Sequence, residues 1–225
     1  MSSEKFIEYP KMKTLFKLIP SNGKGSKWDA TNGEILPETA SLHYLPMEDL
    51  VFTEKIDGVN MGIRIDSSVI STIQKRNSIC NRENKGEAFY FELGDKITEI
   101  IYNKNIEELS NVIIYGELCG VKIQKGGNYF ADRRFLIFDI YDLNKNIFFT
   151  WDAVKHFSSE LGVEHVPEII YTKDNLDVEN VKEFVKNLKS FYNPKYNAEG
   201  IVIRYRKDVC NTRRWVAKIR NKDFQ

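Results

Sequence analysis

Residues 59–66 read Val-Asn-Met-Gly-Ile-Arg-Ile-Asp, an alternation of apolar and polar positions. A period of two puts Val59, Met61, Ile63 and Ile65 on one face of a strand and Asn60, Gly62, Arg64 and Asp66 on the other. Further β runs accompany it. Val69 to Ile73 leads into Gln74-Lys75-Arg76-Asn77. Val112 to Leu118 reads as a buried strand ending in an acid, and Phe135 to Tyr141 as a central strand. Pro167 opens a short strand, and Gly200–Tyr205 and Arg214–Arg220 close the chain. Between them the spacing predicts three helices. One spans about Glu87 to Tyr102, with Leu93, Ile97, Ile100 and Ile101 on one face. The second is capped by Thr150, carries Asp152 in its first turn and is ended by Gly162 after Leu161. The third is capped by Asp177 and has a Val181, Phe184, Val185 and Leu188 stripe. Strands and helices without a βαβ alternation indicate an α+β fold of mainly antiparallel sheets flanked by helices.

At 225 residues the chain can build a substantial core. We expect one domain over residues 1–225, with 1–50 as an N-terminal extension packed on it. In that extension Tyr9-Pro10-Lys11-Met12-Lys13-Thr14-Leu15-Phe16 is a candidate short strand. Ser21 to Ser26 and Gly126-Gly127 are loops by composition. A net charge of +1 leaves no global attraction for polyanions, so any basic surface is local. Cys80, Cys119 and Cys210 are odd in number and far apart, which argues against a disulfide framework and a zinc site and fits a reducing cytosol. His43, His156 and His165 form no metal-ligand pattern. No leader-like apolar stretch opens the sequence, and no run approaches the ~20 residues that span a bilayer, so no membrane partner is expected.

Chemistry concentrates around Phe52-Thr53-Glu54-Lys55-Ile56-Asp57-Gly58-Val59-Asn60. A lysine between strands suits a nucleophile. Its amine attacks phosphorus only when unprotonated, a form that burial and neighbouring cations favour. Gly58 allows a tight turn and a close ligand approach. The same residues also fit a charged hairpin end.

Four other features converge on the same chemistry. Glu117 closes an apolar strand, where an unpaired carboxylate would be costly. Glu199-Gly200-Ile201-Val202 repeats the acid-glycine-strand theme. Lys218 and Arg220, two apart in a strand, share a face, and an anion such as phosphate between them would relieve their repulsion. Residues 204–222 hold eight basic residues (Arg204, Arg206, Lys207, Arg213, Arg214, Lys218, Arg220, Lys222) against Asp208 alone, a local patch suited to a polyanion.

In order along the chain, Lys55-Ile56-Asp57-Gly58, Tyr115-Gly116-Glu117-Leu118, Phe138-Asp139-Ile140, Glu199-Gly200-Ile201-Val202 and Lys218-Ile219-Arg220 resemble motifs I, III, IIIa, IV and V of the covalent nucleotidyltransferases. That superfamily includes RNA ligases, DNA ligases and mRNA capping enzymes. Tyr-Gly-Glu-Leu followed by Gly120, and Glu-Gly-Ile-Val-Ile-Arg, look most like ATP-dependent RNA ligases of the nick-sealing RNA ligase 2 type. The Tyr9–Phe16 stretch resembles phage and bacterial RNA-ligase-domain proteins. Two positions depart from the pattern. Val59 stands where that group more often has threonine, and Asp57 stands where many RNA ligases carry histidine and DNA ligases carry aspartate.

The resemblance implies an ATP-grasp-like nucleotidyltransferase (adenylylation) domain. The chain ends five residues after Arg220, so no C-terminal oligonucleotide-binding (OB) domain is expected. It implies ligation of 3′-hydroxyl and 5′-phosphate ends through a lysyl-AMP intermediate, as in RNA repair, with ATP and Mg²⁺ (or Mn²⁺) as cofactors. Lys55 is the implied nucleophile, and Lys218 and Arg220 the α-phosphate cations. Glu54, Asn60, Arg76, Glu117, Phe138, Glu199 and Lys218 join Lys55 in nucleotide binding, with Phe138 stacked on adenine. Glu117 and Glu199 are the implied metal ligands. The implied partners are RNA ends or a nicked duplex, possibly DNA, and a partner domain that supplies end recognition. The implied location is the cytoplasm, or the host cytoplasm for a viral protein. A DNA nick ligase, a capping guanylyltransferase and a non-catalytic nucleic-acid-binding module are the alternatives.

Overall fold

The computed structural model describes residues 6–20, 28–66, 69–124, 129–208 and 214–224. In chain order the strands are β1 (Ile19–Pro20), β2 (Trp28–Asp29), β3 (Leu50–Lys55), β4 (Val59–Asp66), β5 (Val69–Lys75), β6 (Asn111–Gly120), β7 (Arg133–Asp142), β8 (Ile147–Phe148), β9 (Gly200–Tyr205) and β10 (Val216–Arg220). The helices are α1 (Ala88–Lys104), α2 (Trp151–Leu161) and α3 (Val178–Asn187). They belong to two compact units. The first comprises residues 6–10 and 58–165, the second residues 11–57, 166–208 and 214–224. The expected loops at 21–26 and 126–127, with Cys210 and Arg213, lie outside the described residues.

The first unit is built on an antiparallel sheet in the order β5-β4-β6-β7-β8. β6 is the middle strand of that order, and the Phe135–Tyr141 run lies inside the sheet as β7, between β6 and β8, which pairs with two of its residues. The alternation in β4 holds, with Met61, Ile63 and Ile65 at most 1% exposed. Helix α1 packs on β4 and β5, and α2 on β7. The buried row of α1 is Tyr90, Gly94, Ile97 and Ile101, while Leu93 and Ile100 are only half-buried. That row is rotated from the expected one because Gly94 lies within it, and a hydrophobicity pattern does not count glycine. The predicted caps of α2 are present. Thr150 Oγ1 accepts from Ala153 N–H at 3.3 Å, and Gly162 ends the helix at φ 67°.

The second unit contains the antiparallel sheet β10-β9-β3. Leu15, Phe16, Leu42, Phe52, Ile201, Ile203, Ala217 and Ile219 share a core with Val181 and Val185 of α3. Asp177 caps α3 as predicted, accepting from Asn180 N–H at 2.8 Å. The strand predicted from Pro167 is a single bridge, Thr53 to Glu168. Pro167 accepts from Glu54 N–H at 3.0 Å but has no N–H to extend a ladder. The candidate strand at 9–16 likewise reduces to isolated bridges at Thr14 and Phe16.

Cys80 and Cys119 are buried free thiols. His43 packs on Phe16 and His165 on Trp151, as packing histidines do. Among the described residues no helix is long and apolar enough to cross a membrane.

Candidate active site

The second unit places the nucleophile candidate. Lys55 ends β3 opposite Gly200 of β9, which in turn faces Arg220 of β10. The next row is Thr53, Val202 and Lys218. Cross-strand partners project from the same face, so Lys55, Lys218 and Arg220 share one face of this sheet. Gly200 is required there by backbone proximity, since a Cβ would stand 2.1 Å from the Ile219 carbonyl oxygen. Any side chain would push β10, and with it Lys218 and Arg220, away from Lys55. Just before Gly200, the Glu199 carboxylate accepts a hydrogen bond from Lys55 Nζ in a half-buried ion pair.

Arg220 differs from the expected phosphate clamp. Its Nε and Nη2 donate to Asp223 Oδ1 at 3.0 and 2.7 Å, and its N–H donates to Asp223 Oδ2 at 2.8 Å. Asp223 is 1% exposed. The anion beside Arg220 is thus part of the chain and sits one residue beyond the window that read as basic. The patch itself is weaker than its composition. Arg204 is buried, Lys207 pairs with Asp49 at 3.4 Å, and Arg220 is held by Asp223. A window count cannot see acids supplied from elsewhere in the fold.

Glu54 is also placed differently. Strand alternation turns it away from Lys55, to the face of Phe52 and Ile201. It is 2% exposed. Its Oε2 accepts from Phe191 N–H at 2.8 Å, and its Oε1 has no hydrogen-bond partner among the described residues. Burial pushes its carboxyl above the ordinary glutamate value, while the Phe191 N–H and the Ser190 hydroxyl act the other way. A carboxyl raised in the fold stabilises it at acid pH, and that contribution is lost as pH rises through the folded value. Glu54→Gln should therefore raise the melting temperature at about pH 8, with the gain shrinking toward about pH 4, the ordinary glutamate range. Thermal melts across that range check this, and a gain that does not vary with pH would refute it.

The first unit carries the other candidates. Asn60 pairs with Glu117, and Arg76 directly follows β5, where Lys75 pairs with Met61. Arg76, Asn60 and Glu117 thus fall at neighbouring positions across three strands. Asn60 Oδ1 and Arg76 Nε are buried without a protein partner among the described residues. Such atoms call for a ligand or water. Glu117 does not close its strand, because β6 runs on to Gly120 through buried Leu118 and Cys119. It is instead a half-buried acid on the β6 face that also carries buried Tyr115 and Ile113.

Phe138 is the extra residue of a β-bulge. Tyr115 pairs with Asp139 and Gly116 with Ile137, leaving Phe138 unpaired in the ladder. Bulges re-aim side chains and recur beside active sites. Tyr9 supports this corner, with its hydroxyl donating to Asp139 Oδ2 at 2.5 Å and its ring 5.2 Å from Phe138. Sequence reasoning passed over Tyr9, Asp139 and Asp223 as site-shaping residues, although the adjacency of Asp139 to Phe138 was a usable signal. Gly58 is needed for a backbone contact within the first unit. Its φ is ordinary, and a Cβ would meet the Leu118 carbonyl oxygen at 2.5 Å. That contact is a close approach to β6.

Among the described residues no three metal-ligating side chains gather. Glu117 belongs to the first unit and Glu199 to the second.

No curated protein matches the chain. Several solved structures of Naegleria gruberi RNA ligase resemble it. A lysine-to-alanine mutant with ATP and Mn has a TM-score of 0.66 at 17% identity, over 94% of this chain and 62% of that one. The same ligase with PPi gives 0.66 at 18% identity, over 94% and 61%. A lysine-to-methionine mutant with AMP and Mn gives 0.64 at 18% identity, over 95% and 61%. The chain therefore shares their fold and spans roughly three fifths of their length. The RNA ligase family profile matches residues 48–220, from just before β3 to the end of β10. On that match, which contains every candidate residue from Glu54 to Arg220, the chain belongs to the RNA ligase family.

Proposed function

We propose that this chain is an ATP-dependent RNA ligase, or its adenylylating part, which joins 3′-hydroxyl and 5′-phosphate ends through a lysyl-AMP intermediate. The observation that carries this reading is Lys55 at the end of β3, paired with Glu199 and sharing a sheet face with Lys218. The Naegleria ligase structures hold ATP, AMP or pyrophosphate, which agrees with it.

The chemistry balances in three displacements. The Lys55 amine, released from Glu199 and unprotonated, forms an N–P bond to the α-phosphorus of ATP as the α–β P–O bond breaks and pyrophosphate leaves, and the new N–P nitrogen gives up one proton to solvent. A 5′-phosphate oxygen of the strand then attacks that phosphorus. The N–P bond breaks, the lysine regains a proton, and AMP sits on the strand through a new pyrophosphate link. Last, the 3′-hydroxyl oxygen attacks the strand phosphate, losing its proton to solvent, and AMP departs. Lys218 faces the charge that grows on the α-phosphate in the first step. Arg220 shares that face but is held and offset by Asp223, which leaves Lys218 as the main cation there.

Asn60 and Arg76, with their unmet polar atoms, suit the ribose and the 5′-phosphate. Phe138, out of register in β7, suits the adenine face. Glu199 in the second unit and Glu117 in the first are each a carboxylate of the kind a magnesium-type ion takes one or two of, such an ion completing its shell with phosphate oxygens and water rather than a protein cage. When bound, such an ion neutralises phosphate charge.

One observation keeps a DNA nick ligase as the second reading: Asp57 is the residue DNA ligases carry there. The test has two parts. Incubation with α-labelled ATP and Mg²⁺ should leave acid-stable label on the protein. Single-turnover sealing of two pre-adenylylated nicks, differing only in the terminal sugar on the 3′-hydroxyl side, should then favour ribose. Equal rates or a deoxyribose preference would move the assignment to DNA, and no label would exclude both ligases.

A further inference from the structure

Lys218 has a backbone anchor that its side-chain role does not explain. Its N–H donates to the Lys13 carbonyl and its carbonyl accepts from Leu15 N–H, both at 2.9 Å, forming a parallel bridge centred on Thr14. On its other side β10 pairs Lys218 with Val202 of β9. Residues 13–16 therefore give this short strand a second neighbour at one position, that of the candidate phosphate cation.

That neighbour is itself firmly held. Leu15 and Phe16 are 0% and 1% exposed in the core of the second unit. Lys13 Nζ donates to Glu38 Oε1 at 3.1 Å, and Thr14 Oγ1 donates to the Phe16 carbonyl at 2.7 Å. Thr39 completes the arrangement. It is 3% exposed, and its hydroxyl lies 3.2, 3.0 and 3.1 Å from the carbonyl oxygens of Thr14, Leu15 and Leu36. One hydroxyl proton can serve only one acceptor at a time, so Thr39 ties the bridge segment to the turn at 36–39 through alternating bonds.

We propose that Thr39 and residues 13–16 form a positioning device for Lys218, and that Thr39 is the positioning residue whose side chain locks it. The reason is physical. A five-residue strand with one neighbour can fray, and a misplacement of about 1 Å at a charge-stabilising group can lower a rate on the order of 10²-fold. Thr39 touches no reacting group in this scheme and acts through the backbone of residues 14 and 15. The inference rests on the ligase reading for its rate effect and on hydrogen bonding alone for its structural effect.

Thr39→Val keeps the shape of the side chain and removes the hydroxyl. The expected result is a fall of about fivefold in the single-turnover rate of protein labelling by α-labelled ATP, the rate equivalent of one net hydrogen bond. Thr39→Ser should restore the rate. In a Lys218→Ala background the same substitution should lower the residual rate no further. Amide exchange at Lys218, followed by NMR, should quicken in Thr39→Val while that of Ile114 in the first unit is unchanged. Equal falls in both backgrounds would mean general loosening and overturn the proposal, as would a Lys218 amide that exchanges as slowly as in the wild type. Wild-type protein that takes up no label would refute the ligase reading instead, and the exchange measurement would still decide whether Thr39 fixes Lys218.

Discussion

Lys55→Ala should take up no label from α-labelled ATP, while its far-UV circular dichroism matches that of the wild type. The first displacement needs an amine at the end of β3, and alanine supplies none. The fold should survive because Lys55 lies at the strand end and only partly buried, outside the core that Phe52 and Ile201 build. Its removal leaves Glu199 without the ammonium it now holds, a loss of about 1 kcal/mol of stability for an unpaired, half-buried carboxylate. Lys55→Arg separates the two effects. A guanidinium keeps a cation for Glu199 but is always protonated and does not act as a nucleophile. This variant should be as inert as Lys55→Ala in labelling and melt closer to the wild type. Labelling of either variant at the wild-type level would move the nucleophile elsewhere.

Lys218→Ala should lower the rate of lysyl-AMP formation on the order of 10²–10³-fold, the range for removing one group that stabilises transition-state charge. Its neighbour is poorly placed to compensate. Arg220 is engaged by two oxygens of Asp223, which is 1% exposed and also caps the turn that follows β10. Freeing that guanidinium would strand a buried carboxylate. The check is a single-turnover labelling series over ATP concentration. The loss should appear in the limiting rate more than in the half-saturating concentration, because the growing charge is a property of the transition state. A variant that labels normally would show that Lys218 is not the α-phosphate cation.

Some of this site could be read directly from residue order. The β4 alternation, the Thr150 and Asp177 caps and the limits of β9 are where the pattern puts them. Each depends on neighbours a few residues apart, and backbone geometry turns that spacing into a face or a cap. The shared face of Lys218 and Arg220 followed from the same rule. The rule also pointed Glu54 away from Lys55, although the ligand reading grouped the two.

Other features required distant parts of the chain to meet. Asp49 pairs with Lys207 from the turn just before β3, and Pro167 accepts from Glu54 more than a hundred residues away in sequence. The Phe138 bulge is a mismatch between β6 and β7, defined only once their register is set. The need for glycine at positions 58 and 200 comes from carbonyl oxygens of Leu118 and Ile219, each on another strand. Periodicity and order are properties of the chain itself, so the nucleotidyltransferase motifs and the strand faces were present in the sequence alone. Pairing of charges, close backbone contacts and the bridge from residues 13–15 to Lys218 exist only after folding, because each depends on two segments that chain connectivity leaves free to lie anywhere.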